Sequence, residues 1–543
     1  MTQRRPTARE VQPTMRLPLQ SLIAPLAFAA TLAATAAGAG AAEFRWASQT
    51  DPSSMDPHAV NAAPVHSFLN NVYEGLVRRG RDMGLEPALA TSWEPLGQEG
   101  WRFHLREGVT FHGGEAFDAD DVVFSYERAT SEQSDVASFF ASVEAVEKVD
   151  AHTVDFLTSR PDPLLPSGIA NFMIMDEGWA TANGAEVPAR DRELHTTFNA
   201  NGTGAFRLVE RQPDVRTVLE PFAGWWGEAG HDISRAVFTP IGTPATAVAA
   251  LISGEIDFYE PIPLQDIPRL EEAEDLTVHQ GVEARVIFFG FEHAADSLRY
   301  ADGTVDDNPF RDARVRRAVY HAIDARAIVR TIMRGNAQAT GLLIAPSVNG
   351  YRGEMDVRLP HDPERARALL AEAGYPDGFR FGLRCPNDRY INDEPICVAV
   401  AGMLERVGLE VDLQTMPVAQ YWPELREDRF DMYMLGWSPG TFDAEHPIRF
   451  LMATPDEEGR LGSWNFGEYS DTRVDDLLAR IQVELDPQAR QAAIDDVHRI
   501  LREDAVYIPL HVQPLVWGSR ASVSVSQRAD NFFILRWVRI DGE

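Results

Sequence analysis

Leu404-Glu405-Arg406-Val407-Gly408-Leu409-Glu410-Val411 reads as the last turn of a helix, a stop, and the first residues of a strand. The glycine supplies the left-handed residue that commonly ends a helix. The same order recurs at Leu369-Leu370-Ala371-Glu372-Ala373-Gly374, ahead of a strand-like run at 380–383. Outward from these two units, helical spacing appears at 306–334 (Val315, Ala318, Val319, Ala322 and Ile323, with Asp324 capping the next turn), 363–373, 395–407 and 471–504. Strand-like runs alternate with them at 101–105, 153–157, 285–291, 411–416, 431–435 and 507–512. The pattern predicts a mixed α/β architecture.

The chain has 543 residues, 44% of them hydrophobic. That is too long for one ordinary core at roughly 100–200 residues per domain, so at least two lobes are expected. After residue 43 there is no internal repeat, low-complexity block or Pro/Ser-rich linker, so the lobes should be joined by short crossings. Lys and Arg number 50 against 82 Asp and Glu, a net charge of −32, and Lys148 is the one lysine. Nucleic acid is excluded as a partner, because binding phosphates requires clustered basic residues in excess.

The first forty residues read as an export signal. Arg4, Arg5, Arg9 and Arg16 lead an apolar stretch at 17–37, and Gly38-Ala39-Gly40-Ala41-Ala42 offers the small side chains that a signal peptidase reads. Residues 1–42 are assigned as the signal peptide, with Glu43 starting the mature chain. Removing four Arg and Glu10 leaves 46 basic against 81 acidic residues, a net −35 over 501 residues. No cysteine stands at the junction to receive lipid, so the expected product is periplasmic and unlipidated. Cys385 and Cys397, twelve positions apart, are expected to form a disulfide in that oxidising compartment, pinning the loop 386–394.

Catalytic motifs are weak. Gly436-Trp437-Ser438-Pro439-Gly440 fits G-x-S-x-G after a strand. In that motif the backbone N–H after the serine helps bind the oxyanion, and Pro439 has none. Asn201-Gly202-Thr203-Gly204 lacks the Lys of a phosphate loop and reads as a turn. The fourteen histidines are scattered without metal-ligand spacing, so no metal and no cofactor are expected.

Seven ordered motifs carry a resemblance. They are Asn71-Val72-Tyr73-Glu74-Gly75-Leu76-Val77; Pro87-Ala88-Leu89-Ala90-Thr91-Ser92-Trp93-Glu94; and the run from Trp101 to Gly114 continuing through Phe117-Asp118-Ala119-Asp120-Asp121-Val122. Then come Gly202-Thr203-Gly204-Ala205-Phe206-Arg207-Leu208, Gly254-Glu255-Ile256-Asp257, Asp312-Ala313-Arg314-Val315-Arg316-Arg317-Ala318-Val319 and Tyr507-Ile508-Pro509-Leu510-His511. Over nearly the whole mature length the chain resembles the periplasmic solute-binding proteins of ABC importers, in the dipeptide/oligopeptide/nickel class (family 5, cluster C).

The resemblance implies a bilobed type II periplasmic-binding-protein fold with an extra subdomain in the first lobe. Lobe I is placed at 43–284 and 506–543, with the extra subdomain at about 91–199, and lobe II at 285–505. It implies a monomeric, non-enzymatic carrier that closes on a peptide or peptide-like solute and delivers it to membrane permease subunits served by separate ATPase subunits. An opine, a metal-chelate or an oligosaccharide is the alternative solute, and an exported hydrolase is the alternative class. Peptide binders of this class hold the ligand ammonium with an aspartate shortly after a Gly-Trp pair. Here Gly436-Trp437 is followed by Gly440 at that position, which leaves Asp443 or Glu445 as substitutes. The expected ligand contacts are Trp437 and Trp464 as apolar walls, Arg389 as carboxylate donor and Asp443 as ammonium acceptor. Tyr390, Thr441 and Asn465 orient the solute, and Thr50 and Asp51 face them from the other lobe.

Overall fold

The computed structural model describes residues 42–189, 192–228, 230–457 and 459–540. The expected signal segment, apart from Ala42, lies outside the described residues. Eleven strands build the main sheet: β1 (Ala42–Ser48), β2 (Phe206–Gln212), β3 (Arg216–Pro221), β4 (Ile233–Pro240), β5 (Phe258–Glu260), β6 (Leu276–Phe291), β7 (Gln338–Ala339), β8 (Arg380–Pro386), β9 (Glu410–Met416), β10 (Met432–Trp437) and β11 (Tyr507–Arg520). Their spatial order is β9-β8-β10-β6-β11-β5-β1-β4-β3-β2, with β7 beside β11. β8 lies parallel to both β9 and β10 at one end, and β1 lies parallel to β4 and β5 toward the other.

Two long antiparallel strands, β6 and β11, run through the middle. Leu276 to Val282 pair with Arg520 to Pro514, and Val286 to Gly290 pair with Val512 to Tyr507; the register breaks between Val282 and Val286. The sequence pattern captures only 285–291 and 507–512 of these strands. Gln280, Gly281 and Glu283 interrupt the alternation, and Pro509 and Pro514 read as strand breakers. Pro509 is accommodated where the register slips between Ile287 and Phe288, because a bulge needs no ladder N–H there. Past the break, Ile287 and Phe289 pack into one core and Val286 and Phe288 into another, so both faces are covered.

Gly374 and Gly408 end their units with φ of 103° and 97°, as the sequence requires. The helical stretch at 306–334 is divided into helices Ala313–Ala322 and Ala325–Thr331, whose first turns are capped by Asp312 and Asp324. The stretch at 471–504 likewise splits into Thr472–Ile481 and Pro487–Glu503, since Pro487 suits a first turn and not a helix interior. A separate four-stranded sheet, ordered Ala90–Pro95, Gly100–Leu105, Thr153–Thr158, Val143–Asp150, carries the helix Ala119–Ala129. Its core of Phe103, Phe111, Phe117 and Phe156 reaches back to Leu76. Cys385 at the end of β8 and Cys397 in the helix Asp393–Glu405 are disulfide-bonded, with their Cα atoms 6.7 Å apart.

Candidate functional site

The carboxyl end of β1 opens into a cavity of about 250 Å³, bounded by β5, the break in β6 and the segment 530–533. Strand alternation turns Phe44 and Trp46 to the same face. Trp46 packs on Phe68 and Phe238, with ring centroids 6.1 Å and 5.3 Å away, and with Phe532 and Phe533 these rings form an apolar wall. Glu260, Glu283, Arg285, Asp530 and Asn531 line the same cavity.

Most of this charge is already matched. Arg285 reaches Glu283 at 3.1 Å, two positions away on the same face of β6, and Gln513 Nε2 donates to the other Glu283 oxygen at 2.7 Å. The pair β6 and β11 thus exchange side-chain contacts where their ladder is broken. Asp530 receives the Arg528 guanidinium, whose Nη1 also donates to the Arg79 carbonyl at 2.9 Å. Among the described residues Glu260 accepts only from Asn531 Nδ2, at 3.2 Å. Burial, reinforced by the charge on Glu283, pushes the Glu260 carboxyl up to about 7.

The expected contacts divide. Thr50 lines the cavity. Asp51 does not: Arg211 donates to both its oxygens at 2.8 Å, and the Asp214 N–H adds a third bond. Asp443 is 1% exposed, with both oxygens on Arg490 at 2.9 Å and 2.7 Å and a further bond from Asn349. A carboxylate so compensated has little left to offer an ammonium. Asn465 ties Ala453 and Tyr469 through backbone bonds at 2.8–3.1 Å and holds its own loop.

None of the remaining five lines the cavity, and Trp437 pairs with Val286 just past the β6 break. Trp437 donates to His446 Nδ1 at 3.2 Å and packs on Trp464 and Phe450, while Trp464 meets Trp422 and Phe466. Burial, with Arg449 nearby, holds His446 down to about 3, so it accepts this bond as the neutral ring. Tyr390 is nearly buried with its hydroxyl toward the Gly436 carbonyl, and the exposed Arg389 guanidinium lies over its ring, 5.4 Å from the centroid. The Thr441 carbonyl accepts from Arg79 Nη2 and from Ser167 Oγ, both at 2.7 Å. These bonds tie the loop after β10 to Arg79, ahead of the smaller sheet, and to Ser167, beyond its strand Thr153–Thr158.

Sequence reasoning missed Glu260, Glu283, Arg285, Asp530 and Asn531. The one local signal was Glu283-Ala284-Arg285, opposite charges two apart on a strand, which share a face. Among the described residues no three His, Cys, Asp or Glu side chains group to hold a metal ion, and no helix is long and apolar enough to cross a membrane.

Residues 84–457 match the family of bacterial extracellular solute-binding proteins, family 5 middle region. The glutathione-binding protein GsiB of Shigella flexneri is 25% identical over 473 residues, covering 85% of this chain and 87% of that one. GsiB of Pectobacterium atrosepticum is 26% identical over 505 residues, covering 89% and 90%. In fold the chain is similar to HbpA2 of Haemophilus parasuis (TM-score 0.78, 22% identity, covering 92% of this chain and 100% of that one). It is also similar to the substrate-binding protein CtaP of Listeria monocytogenes (TM-score 0.79, 19% identity, covering 92% and 100%). The fold is the bilobed type II arrangement of these carriers, and the chain belongs to the bacterial extracellular solute-binding proteins of family 5.

Proposed function

We propose that this protein is the solute-binding component of an ABC importer and captures small peptides or peptide-like solutes in the cavity beside the β6 break. The observation that carries this reading is the break itself. Two antiparallel strands lose their ladder at one level, Val282 to Val286 opposite Val512 to Pro514, and a solvent-facing cavity opens there. Two short crossings at one level make a hinge, and closure about it buries whatever occupies the cavity. Lobe I then comprises 43–282 with 514–543 and lobe II 286–512, because Tyr507 to Val512 pair on the lobe II side. Thr50 contributes from lobe I, and closure brings Tyr390, Arg389, Trp437, Thr441 and Trp464 toward it from lobe II. The carrier is exported by residues 1–42, carries no lipid, works as a monomer without a catalytic step, and presents its closed form to the permease.

Glutathione, dipeptides and tripeptides are the first solutes to test, since relatives of 25–26% identity are named for binding glutathione. Native mass spectrometry of the purified mature chain with these peptides is expected to retain one of them intact. Recovery of new fragments, or of no peptide at all, would overturn the reading.

A further inference from the structure

The cavity holds three carboxylates, and two of them have a guanidinium partner: Glu283 has Arg285 and Asp530 has Arg528. Glu260 has none. Its single bond comes from the Asn531 amide, and that amide is oriented by a second contact, because Trp517 Nε1 donates to Asn531 Oδ1 at 2.7 Å and leaves Nδ2 facing Glu260 Oε2. Among the described residues Glu260 Oε1 has no partner. An unpaired carboxylate in a cavity walled by Trp46, Phe68, Phe238 and Phe532 is costly for an empty protein and well suited to one purpose. Aromatic faces attract a cation while carrying no counter-charge of their own, and a carboxylate beside them supplies it.

We infer that Glu260 anchors a cationic group of the captured solute, an ammonium or a guanidinium, flanked by the Trp46 and Phe532 rings. The inference rests on reading this cavity as the solute site. It places the cation contact on lobe I, next to the crossings, rather than on the loop after Gly436-Trp437, where Asp443 is taken by Arg490. Binding is also linked to a proton. The charged groups around Glu260 are Glu283 and Arg285 from β6 and Asp530, with Arg528, from the C-terminal segment; Glu283 opposes ionisation of Glu260. With the carboxyl near 7 in the empty protein, an incoming cation displaces its proton, so affinity for a permanently charged cation rises with pH.

The test uses the mature chain and its isosteric Glu260→Gln variant with two probe sets. The first is a mixture of dipeptides and tripeptides with neutral side chains, offered with free amines and as N-acetyl derivatives. The second is agmatine, charged at both ends throughout pH 6–8, followed by calorimetry. Free amines should be retained at least about tenfold more tightly than acetylated peptides, and Glu260→Gln should abolish that preference. Wild-type affinity for agmatine should rise about tenfold from pH 6 to pH 8. If Glu260→Gln folds poorly, the agmatine pH profile of the wild type decides alone. Peptides bound equally with and without acetylation, together with pH-independent or absent agmatine binding, overturn the Glu260 assignment and leave the peptide reading standing. Agmatine bound in a pH-dependent way with every peptide rejected sustains Glu260 and removes the peptide reading.

Discussion

Asp443 and Arg490 form a buried bidentate pair, 1% and 8% exposed at their side chains. Removing one partner strands the other charge away from water. Asp443→Ala is expected to lower unfolding free energy by about 3 kcal/mol or more, and the double replacement with Arg490→Leu to recover part of that loss. Urea titration of the three variants checks this, and a single-variant change under about 1 kcal/mol would show that water reaches the site. Arg389 behaves oppositely, since its guanidinium is exposed over Tyr390 and lacks a carboxylate partner among the described residues. Arg389→Ala should leave stability within about 0.5 kcal/mol and weaken an anionic solute by about 1.5–3 kcal/mol. Unchanged affinity in calorimetry removes Arg389 from the site.

At the scale of elements, the disulfide ties the end of β8 to the helix Asp393–Glu405 and so fixes the loop that presents Arg389 and Tyr390. Closing a short loop in the unfolded chain is worth about 3 kcal/mol. Cys385→Ser with Cys397→Ser is expected to lower the thermal midpoint by several degrees, and an unchanged midpoint would mean that neighbouring packing already fixes the loop. Arg79 matters for a different reason. It bonds Met83 and Ser167 on its own side and the Thr441 carbonyl on the other. Arg79→Ala should shift the hinge toward the open state, seen as a larger radius of gyration in solution scattering; an identical scattering curve would count against a bridging role.

For the whole molecule, acid is the revealing variable. Burial holds His58, His293, His446 and His511 down to about 3, and His66, His112 and His498 to about 4. Their unfolded value is about 6.5, so each contributes stability above that pH and loses it as pH falls toward 3–4. Asp121 and Glu260, raised to about 7 by burial, act in the opposite sense. Their stabilisation is full below the unfolded carboxylate range near 4 and fades as pH rises through 7. The two sets oppose each other from pH 7 to about 4, and below 4 these raised carboxylates no longer change. Seven histidines outnumber the two carboxylates that oppose them, so the urea midpoint is expected to fall as pH drops from about 6 to about 3. A flat midpoint across that interval would show that the histidines are not buried as neutral rings.

Local features were legible because their causes are local. Gly374 and Gly408 stop helices by a backbone preference, Asp312 and Asp324 cap by reaching two or three residues ahead, and two cysteines twelve apart have only each other. The ordered motifs placed the chain in its family for the same reason, as short strings read in sequence. Which charges serve a ligand was not written locally. Asp51 is neutralised by Arg211, 160 positions away, and Asp443 by Arg490, 47 away. Glu260 meets Asn531 across 271 positions and finds no cation among the described residues. A carboxylate looks the same in sequence whether an arginine covers it or not. Only the tertiary structure brings the partner or withholds it, since ion pairing is decided by distance in space.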